Sequence, residues 1–366
     1  MILDSLQDSM VDTPVKDFVR AQTDVIIDGY SATGANGDVY FGTRKILSDR
    51  VALKFYYYNP IAPIHQEPVL LKEIKHKNII EIYDARVIDN KYAYFLTPEI
   101  SGGDLQSYLD SNALSIQSAI SITRGILQGL AELHKHPNNL LHRDLKPDNI
   151  LINKHNLEPC IADFGSIIRL PDSSAHASVS KNNFFYQPCE AVKDKIYTKQ
   201  SDLYQVGIIL FRMLGGHFPM FPQAWLNKVE QKEYDSIQGG YEKWTFIERV
   251  IEKKIVTGKL LSYDSLPFYV DDKLKKIVKK ATHIDYKKRY ATCVEFQKAL
   301  FDYGKDAIDW VNNSGIVHAK RKDGTEFKIS PDGTSFKLET LKGTSPWRRN
   351  NQHDGKLKSI IALINK

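Results

Sequence analysis

Short apolar runs occur near the beginning of this chain, and apolar residues recur at helical spacing further along. Residues 25–27, 51–53 and 92–97 form short apolar runs that are typical of β-strands. Between Ser115 and His134 the apolar positions predict an amphipathic helix that faces a large core: Ile116, Ile120, Ile122, Ile126, Leu127, Leu130 and Leu133. Residues 220–262 and 273–303 favour further helices.

The first 24 residues are mixed in character. Leu3, Leu6, Met10 and Val11 have near-helical spacing, which Pro14 interrupts. We therefore expect a short helix or arm that packs on the residues that follow.

The pattern changes again after residue 303. Asp323-Gly324 is a strong signal for a hairpin turn, and residues 331–333 predict another turn before an alternating run. Residues 356–365 fit either a strand or a helix. We expect a small β-rich region over residues 304–366.

Composition places the chain among ordinary globular proteins. It has 366 residues, of which 42% are hydrophobic and 26% are charged. No apolar run reaches the roughly 18 residues that a membrane helix needs, and Asp4 stands where a signal peptide would be basic. Three widely spaced cysteines favour reduced thiols, and hence a cytoplasmic protein without a membrane anchor.

The positive charge is concentrated at the end of the chain. Residues 304–366 contain 12 basic and 7 acidic residues, so they carry +5 of the total net charge of +6. Together with Trp347-Arg348-Arg349, this composition permits an acidic or nucleic-acid partner. A solvated basic surface is the alternative.

The stretch from Leu141 to Gly165 carries the candidate chemistry. It contains the run His-Arg-Asp-Leu-Lys-Pro-Asp-Asn, which ends at Asn149, and then Ala-Asp-Phe-Gly around Asp163. Carboxylate and amide oxygens are ligands that suit Mg²⁺. The apolar run 150–152 predicts a buried strand that holds Asn149 rigidly. The alternative is a plain polar loop between two strands.

These two runs together resemble the catalytic loop and the metal-binding turn of eukaryotic-type serine/threonine protein kinases. The resemblance implies ATP as substrate and Mg²⁺ as cofactor. It implies that Asp144 orients the acceptor hydroxyl, that Lys146 neutralises the transferring phosphoryl group, and that Asn149 and Asp163 bind the metal.

The resemblance covers about residues 25–303 and implies an α+β, bilobed protein-kinase fold. The small lobe is rich in β-structure and the large lobe is helical. The expected division is an arm at 1–24, the small lobe to about residue 97, a hinge at 98–104, the large lobe at 105–303 and a small, basic, β-rich appendix at 304–366.

Residues 32–40 resemble the glycine-rich loop that covers the ATP phosphates, with Ala32 in place of the first glycine. The resemblance assigns Gly34, Gly37 and Val39 to nucleotide binding. Glycines let the backbone approach phosphates closely. By itself the motif is weak, and an ordinary hairpin turn is the alternative.

The strand that follows contains Ala52 and Lys54. The resemblance assigns Ala52 to nucleotide binding, and Lys54 resembles the family's lysine that binds the α- and β-phosphates of ATP. In this family such a lysine pairs with a glutamate on the next helix, and counting selects Glu67. Because Pro60, Pro63 and Pro68 crowd this region, we expect a truncated helix.

Residues 97–104 resemble the hinge. By alignment, Thr97 is the gatekeeper, while the carbonyl of Pro98 and the N–H of Ile100 read adenine. Asp104 contacts the ribose or caps the following helix, and one residue can do both.

Residues 166–190 resemble an activation segment. Ser173, Ser174, Ser178 and Ser180 are candidate sites of autophosphorylation, and Arg143 is the candidate partner of such a phosphate. A serine-rich loop without modification is the alternative.

The end of this segment departs from the family pattern. The family has Ala-Pro-Glu at this point, whereas this chain has Pro188-Cys189-Glu190, so the proline is displaced by one position. Glu190 still matches the family's glutamate, and Arg289 matches the arginine that pairs with it in a buried ion pair. Asn183 stands where serine/threonine kinases usually have threonine. Asp202 is expected to brace the catalytic loop from a buried helix.

The sequence therefore predicts an ATP- and Mg²⁺-dependent kinase that phosphorylates serine or threonine in proteins. One alternative is a pseudokinase that binds nucleotides or partners without catalysis. Another is a kinase-like phosphotransferase for small molecules, and a third is a basic adaptor whose main activity lies in residues 304–366.

Overall fold

Near its beginning the chain forms a five-stranded antiparallel sheet, with strand order β1-β2-β3-β5-β4. The structure is a computed structural model that describes residues 12–31, 38–58, 66–179, 184–351 and 355–365, with the backbone alone at 66 and 67. The strands are β1 (Val25–Ser31), β2 (Val39–Arg44), β3 (Arg50–Tyr57), β4 (Asp84–Val87) and β5 (Tyr92–Pro98).

The central strand β3 separates core from cleft. Successive side chains of a strand point to opposite faces. Val51, Leu53 and Phe55 are buried on one face, whereas Ala52 and Lys54 lie on the other. The alternating pattern thus positions Lys54 on the face opposite the small-lobe core.

A helix covers the apolar face of this sheet. α1 (Thr13–Arg20) buries Val15 and Val19, one turn apart, in the same apolar cluster as β3. Pro14 lies in the first turn, where a missing N–H costs nothing. Pro14 therefore belongs to the start of a helix instead of interrupting one, and the apolar positions before it lie outside the described residues.

The next helix after β3 is described from Gln66 onward. α2 (Gln66–Leu71) has six residues, with Pro68 in its first turn. Leu71 and Ile74 then enter the core of the large lobe. Residues 59–65 lie outside the described ranges, so the truncated helix predicted from the prolines stays a prediction.

The large lobe is helical, and α4 and α6 lie at its centre. Its helices are α3 (Leu105–Ser111), α4 (Ile116–His134), α5 (Cys189–Lys193), α6 (Lys199–Met213), α7 (Lys228–Ser236), α8 (Gly240–Val256), α9 (Asp272–Ala281) and α10 (Cys293–Gly304). The predicted stripe of α4 is buried, which confirms it as core. α6 is buried around most of its circumference, as expected of a helix inside a large core.

Short antiparallel ladders position the loops at the cleft. β6 (Leu140–Leu141) pairs with β9 (Ile168–Arg169), and β7 (Ile150–Ile152) pairs with β8 (Pro159–Ile161). β10 (Ala177–Ser178) pairs with β11 (Ile196–Tyr197). In the described part of the chain, no helix is both long enough and apolar enough to span a membrane.

The described residues between 309 and 364 form a second five-stranded antiparallel sheet and one helix. The strands follow in chain order as β12 (Asp309–Asn313), β13 (Ile316–Lys320), β14 (Glu326–Asp332), β15 (Ser335–Leu341) and β16 (Arg348–Arg349), and α11 is Leu357–Ile364. The predicted hairpin at Asp323-Gly324 is confirmed. The next turn lies at residues 333–334, because Pro331 and Asp332 remain in β14.

This second sheet packs directly on the large lobe. The buried indole of Trp310 stacks on the ring of Tyr269, with centroids 5.8 Å apart and planes 10° apart. Asp309 accepts a hydrogen bond of 2.9 Å from the backbone N–H of Gln117 at the start of α4. Trp310 belongs to the same apolar cluster as α4 and α6, so the appendix shares the large-lobe core.

Candidate active site

The loop between β6 and β7 holds Asp144 at the centre of the candidate site. Its carboxylate is buried, with 9% of the residue exposed. Oδ2 lies 3.2 Å from Nζ of Lys146 and accepts a 3.1 Å hydrogen bond from Nδ2 of Asn149. Oδ1 has no hydrogen-bond partner among the described residues. A buried acceptor without a partner costs stability, which is typical of a functional group.

Local structure brings Asn149 and Asp163 together although they are 14 positions apart in the sequence. Asn149 ends a 3₁₀ turn and directly precedes β7, while Asp163 follows β8. In an antiparallel pair, the start of one strand lies beside the end of the other. The N–H of Ala162 donates to the carbonyl of Asn149 at 2.9 Å, which ties the two loops together.

Lys54 reaches this site from the small lobe. Its Nζ lies 3.0 Å from Oδ1 of Asp163. Asp163 has φ of 54°, a left-handed conformation that aspartate tolerates better than most residues. Phe164, which follows it, is buried against the ring of His142. The structure therefore brings together Lys54, Asp144, Asn149 and Asp163, as the sequence predicts.

Burial dominates the electrostatics of the catalytic loop. It raises the pKa of Asp144, although the positive charge of Lys146 acts in the opposite direction. Burial also lowers the pKa of His142, which favours its neutral form. A raised carboxylate pKa suits a group that accepts a proton in a reaction.

Asp202 braces the loop from α6. Its carboxylate accepts hydrogen bonds from the N–H groups of His142 (3.1 Å) and Arg143 (2.9 Å) and from Nε2 of His134 (2.8 Å). Burial alone would raise the pKa of Asp202, but these donors lower it, His134 first. Arg143 has φ of 68°, so these bonds hold a strained backbone in place. The bracing role predicted for Asp202 is confirmed.

Gln205 is a second brace, which the sequence reasoning missed. Its side-chain oxygen accepts from the N–H of Leu145 at 2.8 Å, and its nitrogen donates to the carbonyl of Tyr186 at 3.3 Å. Gln205 therefore joins the catalytic loop to the activation segment. Its position three residues after Asp202, on the same face of α6, was the available signal.

The activation segment is held by Arg143 through backbone groups. Its Nε donates to the carbonyl of Ser166 at 2.6 Å, and Nη1 donates to the carbonyl of Ser178 at 2.9 Å. Ser173 and Ser178 are exposed, while the hydroxyl of Ser174 donates to the carbonyl of His176. Asn183 and Ser180 lie outside the described residues.

The predicted ion pair behind this segment is present. Nη1 and Nη2 of Arg289 lie 2.7 and 2.8 Å from the two carboxylate oxygens of Glu190, and both side chains are buried. Ser201 donates a further hydrogen bond to Glu190 at 2.6 Å. The displaced proline, Pro188, lies at the N-cap of α5, so the shift leaves Glu190 in place.

The hinge residues lie beside β3. Thr97 is buried opposite Ala52, Pro98 ends β5, and Ile100 is half-buried against the large core. Asp104 caps α3, because its carboxylate accepts from the N–H and the hydroxyl of Ser107, both at 2.8 Å. This geometry supports the capping role.

Val39 pairs with Lys54 across β2 and β3, so it lies next to the candidate site. The remaining predicted nucleotide contacts, Gly34 and Gly37, fall outside the described residues, as does Ala32. Glu67 lies in α2, but its side chain is not described, so the pair with Lys54 stays a prediction.

The donor set fits Mg²⁺. The side-chain nitrogen of Asn149 donates hydrogen bonds to Asp144, so the side-chain oxygen of Asn149 is available as a metal ligand. Within the described ranges, no group of three or more histidine, cysteine, aspartate or glutamate residues has the arrangement of a metal site. A site with one carboxylate, one amide oxygen and further oxygens from phosphate and water matches the way Mg²⁺ binds beside nucleotides.

Comparisons with known proteins agree with this geometry. A family model described as a protein kinase domain matches residues 32–301. The serine/threonine-protein kinase TIO of Arabidopsis thaliana is 28% identical over 225 residues, which are 60% of this chain and 17% of that protein. The probable serine/threonine-protein kinase HSL1 of Saccharomyces cerevisiae is 31% identical over 229 residues, 59% of this chain and 15% of that protein.

A bacterial protein is also similar. Serine/threonine-protein kinase PrkC of Bacillus subtilis is 32% identical over 194 residues, 51% of this chain and 29% of that protein. The matched region thus spans less than a third of the length of each relative. The family model covers most of the present chain and includes every element of the candidate site, and the chain therefore belongs to the protein kinase family.

Proposed function

We propose that this chain is an ATP- and Mg²⁺-dependent kinase that phosphorylates serine or threonine residues of proteins. One observation carries the proposal: Lys54, Asp144, Lys146, Asn149 and Asp163 meet in one cleft, with the contacts of 3.0 to 3.2 Å given above. The relatives named as serine/threonine-protein kinases support the same activity.

Each residue has a proposed role. Asn149 and Asp163 would hold Mg²⁺, whose charge offsets the negative charge of the ATP phosphates. Lys54 binds the α- and β-phosphates, in a pair with Glu67. Gly34, Gly37, Val39 and Ala52 surround the nucleotide, Thr97, Pro98 and Ile100 contact adenine, and Asp104 contacts the ribose.

The proposed reaction is a direct phosphoryl transfer. The acceptor hydroxyl oxygen forms a bond to the γ-phosphorus, and the bond between that phosphorus and the bridging oxygen of ADP breaks. Asp144 orients the hydroxyl and accepts its proton, through the Oδ1 atom that lacks a partner. Lys146, which lies beside the other oxygen of Asp144, neutralises the transferring group.

The intact cleft favours catalysis over a pseudokinase. The ordered segment 184–190, with its Arg289–Glu190 pair, favours a protein substrate over a small molecule, because it builds a surface beside the catalytic loop. Ser173, Ser174, Ser178 and Ser180 are the proposed autophosphorylation sites. The three cysteines are free thiols, which supports the cytoplasm as the compartment.

We retain the division into an arm (1–24), a kinase domain (25–303) and an appendix (304–366). An acidic or nucleic-acid partner for the appendix stays a prediction. Many of its cations are already in ion pairs, including Lys320 with Glu326 and Lys328 with Glu339. Less positive charge is therefore available than the composition suggests.

Intact-mass analysis after incubation with ATP and Mg²⁺ tests the proposal, with Asp163→Asn as the control and a mixture of serine peptides as additional substrate. Phosphate on the wild type or its peptides, and none with the variant, is the expected result. No phosphate on any substrate would contradict the proposal. A thermal shift with ATP, with and without Mg²⁺, would then identify a nucleotide-binding pseudokinase.

A further inference from the structure

A dense group of lysines lies on the large lobe, outside the candidate site. Residues 250–288 contain ten lysines, five acidic residues and no arginine, so their net charge is +5. The remainder of residues 1–303 carries −4, because residues 1–303 together carry +1. Eight of the ten lysines are exposed, and Lys254 and Lys275 are half-buried. We call the outer side of residues 250–288 the lysine surface.

The lysine surface is built from three segments: the end of α8, α9 and the turn at Tyr286–Lys288. A Cβ added to Gly258, which follows α8, would lie 3.0 Å from Cγ2 of Ile284, so the end of α8 lies beside the residues that precede the turn. In α9, Nζ of Lys279 lies 5.1 Å from the ring centroid of Tyr263, in the chain that leads from α8 to α9. The three segments are therefore neighbours in the folded chain.

Ion pairs do not compensate this positive charge. Within the described residues, none of the ten lysines forms an ion pair with a carboxylate. Lys279, Lys280 and Lys287 lie over tyrosine rings, which are neutral and leave the charge in place. Two of the five acidic residues, Asp271 and Asp285, accept hydrogen bonds from backbone N–H groups at helix starts. In the appendix, by contrast, several lysines are paired with glutamates.

The charge pattern of α9 opposes the stability of the helix. Five of its ten residues are lysines. Lys275 and Lys279 are four positions apart, as are Lys276 and Lys280, and like charges at this spacing destabilise a helix. The helix dipole favours lysine in the last turn but disfavours Lys273 in the first turn. Helix stability therefore does not account for the pattern, which favours a binding partner that needs the charge.

α6 separates the lysine surface from the catalytic loop. Asp202 and Gln205 contact that loop, and in a helix with 3.6 residues per turn Gly207 points about 140–160° away from both. Gly207 packs on α9, because a Cβ added to it would lie 2.9 Å from Cβ of Ala281 and 2.7 Å from Cγ2 of Thr282. α9 thus lies on the side of α6 that is opposite the catalytic loop. A partner on the outer side of α9 leaves the cleft free.

The chemistry of the lysine surface favours lipid headgroups over nucleic acid. It contains no arginine, the residue that pairs with phosphates and base edges through two donors. The rings of Tyr263, Tyr286 and Tyr290 already have a lysine over them, so they are not open platforms for bases. Ile284, beside Gly258, is 41% exposed, and an aliphatic side chain among lysines can enter the boundary between headgroups and acyl chains.

We propose that the lysine surface binds the anionic surface of a lipid membrane, with Ile284 as an apolar contact. Lys273, Lys276 and Lys280 are its principal cations, because their spacing of three and four positions places them on one face of α9. Attachment through α9 keeps the cleft open towards substrates near the membrane. It needs no membrane-spanning helix, and it does not depend on the proposed kinase function.

The test uses the full-length chain and vesicles of two compositions. One is phosphatidylcholine alone, and the other is equal parts of phosphatidylcholine and phosphatidylserine. Co-sedimentation at physiological salt should detect binding to the phosphatidylserine vesicles only, and added salt should weaken it, because exposed charges are screened. Equal binding to both kinds of vesicle, or binding to neither, would overturn the proposal.

Two double variants assign the binding to the lysine surface. Lys273→Gln with Lys276→Gln should weaken vesicle binding about twentyfold, since each lysine near an anionic surface contributes about fivefold. The matched control is Lys320→Gln with Lys328→Gln, which removes the same charge from appendix lysines that are paired with glutamates. The control should bind like the wild type. An equal loss in both double variants would overturn the proposal, because net charge alone would then explain the binding.

A folding defect is separated from this effect by thermal melting. Lys273→Gln with Lys276→Gln removes a repulsion between like charges three positions apart, so the melting temperature should not fall. Phosphorylation of a soluble peptide should also stay at the wild-type rate, because these lysines lie behind α6. A loss of vesicle binding that appears only together with a lower melting temperature would count against the proposal.

Ile284 and a DNA duplex distinguish lipid from nucleic acid. Ile284→Ser should weaken binding to phosphatidylserine vesicles severalfold, whereas Ile46→Ser, at a more exposed isoleucine of the small lobe, should not. An unchanged affinity in Ile284→Ser would overturn the apolar contact. Fluorescence anisotropy of a labelled duplex is measured at the same salt. Tighter binding to the duplex than to the vesicles at equal negative charge, if Lys273→Gln with Lys276→Gln abolishes it, would overturn the membrane as partner and assign the surface to nucleic acid.

Discussion

Two cation–carboxylate pairs hold distant parts of this chain together, and they are built differently. Arg289 and Glu190 join the end of the activation segment to the body of the large lobe, while Lys54 and Asp163 join the two lobes across the cleft. The partners are 99 and 109 residues apart. The first pair has side-chain exposures of 0% and 2%, and the second has 16% and 17%.

The difference lies in how completely each pair is surrounded. Arg289 also donates to the carbonyls of His283 and Gln200, at 2.7 and 3.0 Å, and Ser201 donates to Glu190. Both charges are thus enclosed by hydrogen bonds, which is the condition for a stable buried pair. Lys54 and Asp163 are partly exposed, and in the proposed function they contact a nucleotide and a metal. We therefore expect the first pair to contribute mainly to stability and the second mainly to the proposed catalysis.

The largest expected effect comes from breaking the enclosed pair. Arg289→Met should reduce the free energy of unfolding by about 3–5 kcal/mol, because it leaves Glu190 buried and unpaired. Urea denaturation measures this loss. The control is Arg249→Met, whose exposed pair with Glu233 should contribute less than about 1 kcal/mol. Equal losses in the two variants would contradict the comparison.

Breaking the Lys54–Asp163 pair should reduce activity strongly and stability only slightly. Lys54→Met should reduce kcat/KM by about a hundredfold or more, because a positioned charge on the phosphates is lost. The free energy of unfolding should change by less than about 1 kcal/mol. Kinase assays and thermal melting of the same preparation measure both quantities, and Lys298→Met, at an exposed pair on α10, is the control. A large loss of stability with unchanged activity would reverse the roles assigned here.

The pair of Lys146 with Asp144 sharpens the comparison, because its exposures of 13% and 13% lie between the other two. Burial raises the pKa of Asp144, and Lys146 lowers it in part. Since Asp144 must be deprotonated to accept a proton, the rate falls as the pH drops through this pKa. Removing the Lys146 charge raises the pKa, so Lys146→Met should move the acid limb of the kcat profile to higher pH.

The profile of kcat against pH is compared with that of Lys154→Met, which changes an exposed lysine at the end of β7. In Lys154→Met, the acid limb of the kcat profile should lie at the same pH as in the wild type. An acid limb that does not move in Lys146→Met would mean that another group controls it.

The fold class and the centre of the site were predictable from the sequence. Asp144, Asn149 and Asp163 lie in short runs with restricted spacing, and the runs differ enough from ordinary loops to identify the family. The prolines around residues 60–68 predict a short α2, because proline is tolerated only at a helix start, and this stays a prediction because residues 59–65 lie outside the described ranges. Glu190 was predictable in spite of the displaced proline, because its partner Arg289 also matched.

Other features depended on long-range packing. Residues 356–365 fitted a strand or a helix, and the structure selects a helix because Ile360 and Ile364, one turn apart, are buried in the core. Gln205 and Arg212 do not belong to a recognisable sequence motif. They contact the carbonyl and the hydroxyl of Tyr186, which approach α6 only in the folded chain.

The sequence by itself determined the family, the lobes and the residues of the catalytic loop, because these follow from local spacing and from residue chemistry. The tertiary structure alone decided which charges are enclosed and which stay accessible. It also decided that the appendix packs on the large lobe. The physical reason is that segments far apart in the sequence determine how deeply a charged side chain is buried. Burial in turn determines how strongly that charge interacts with its neighbours.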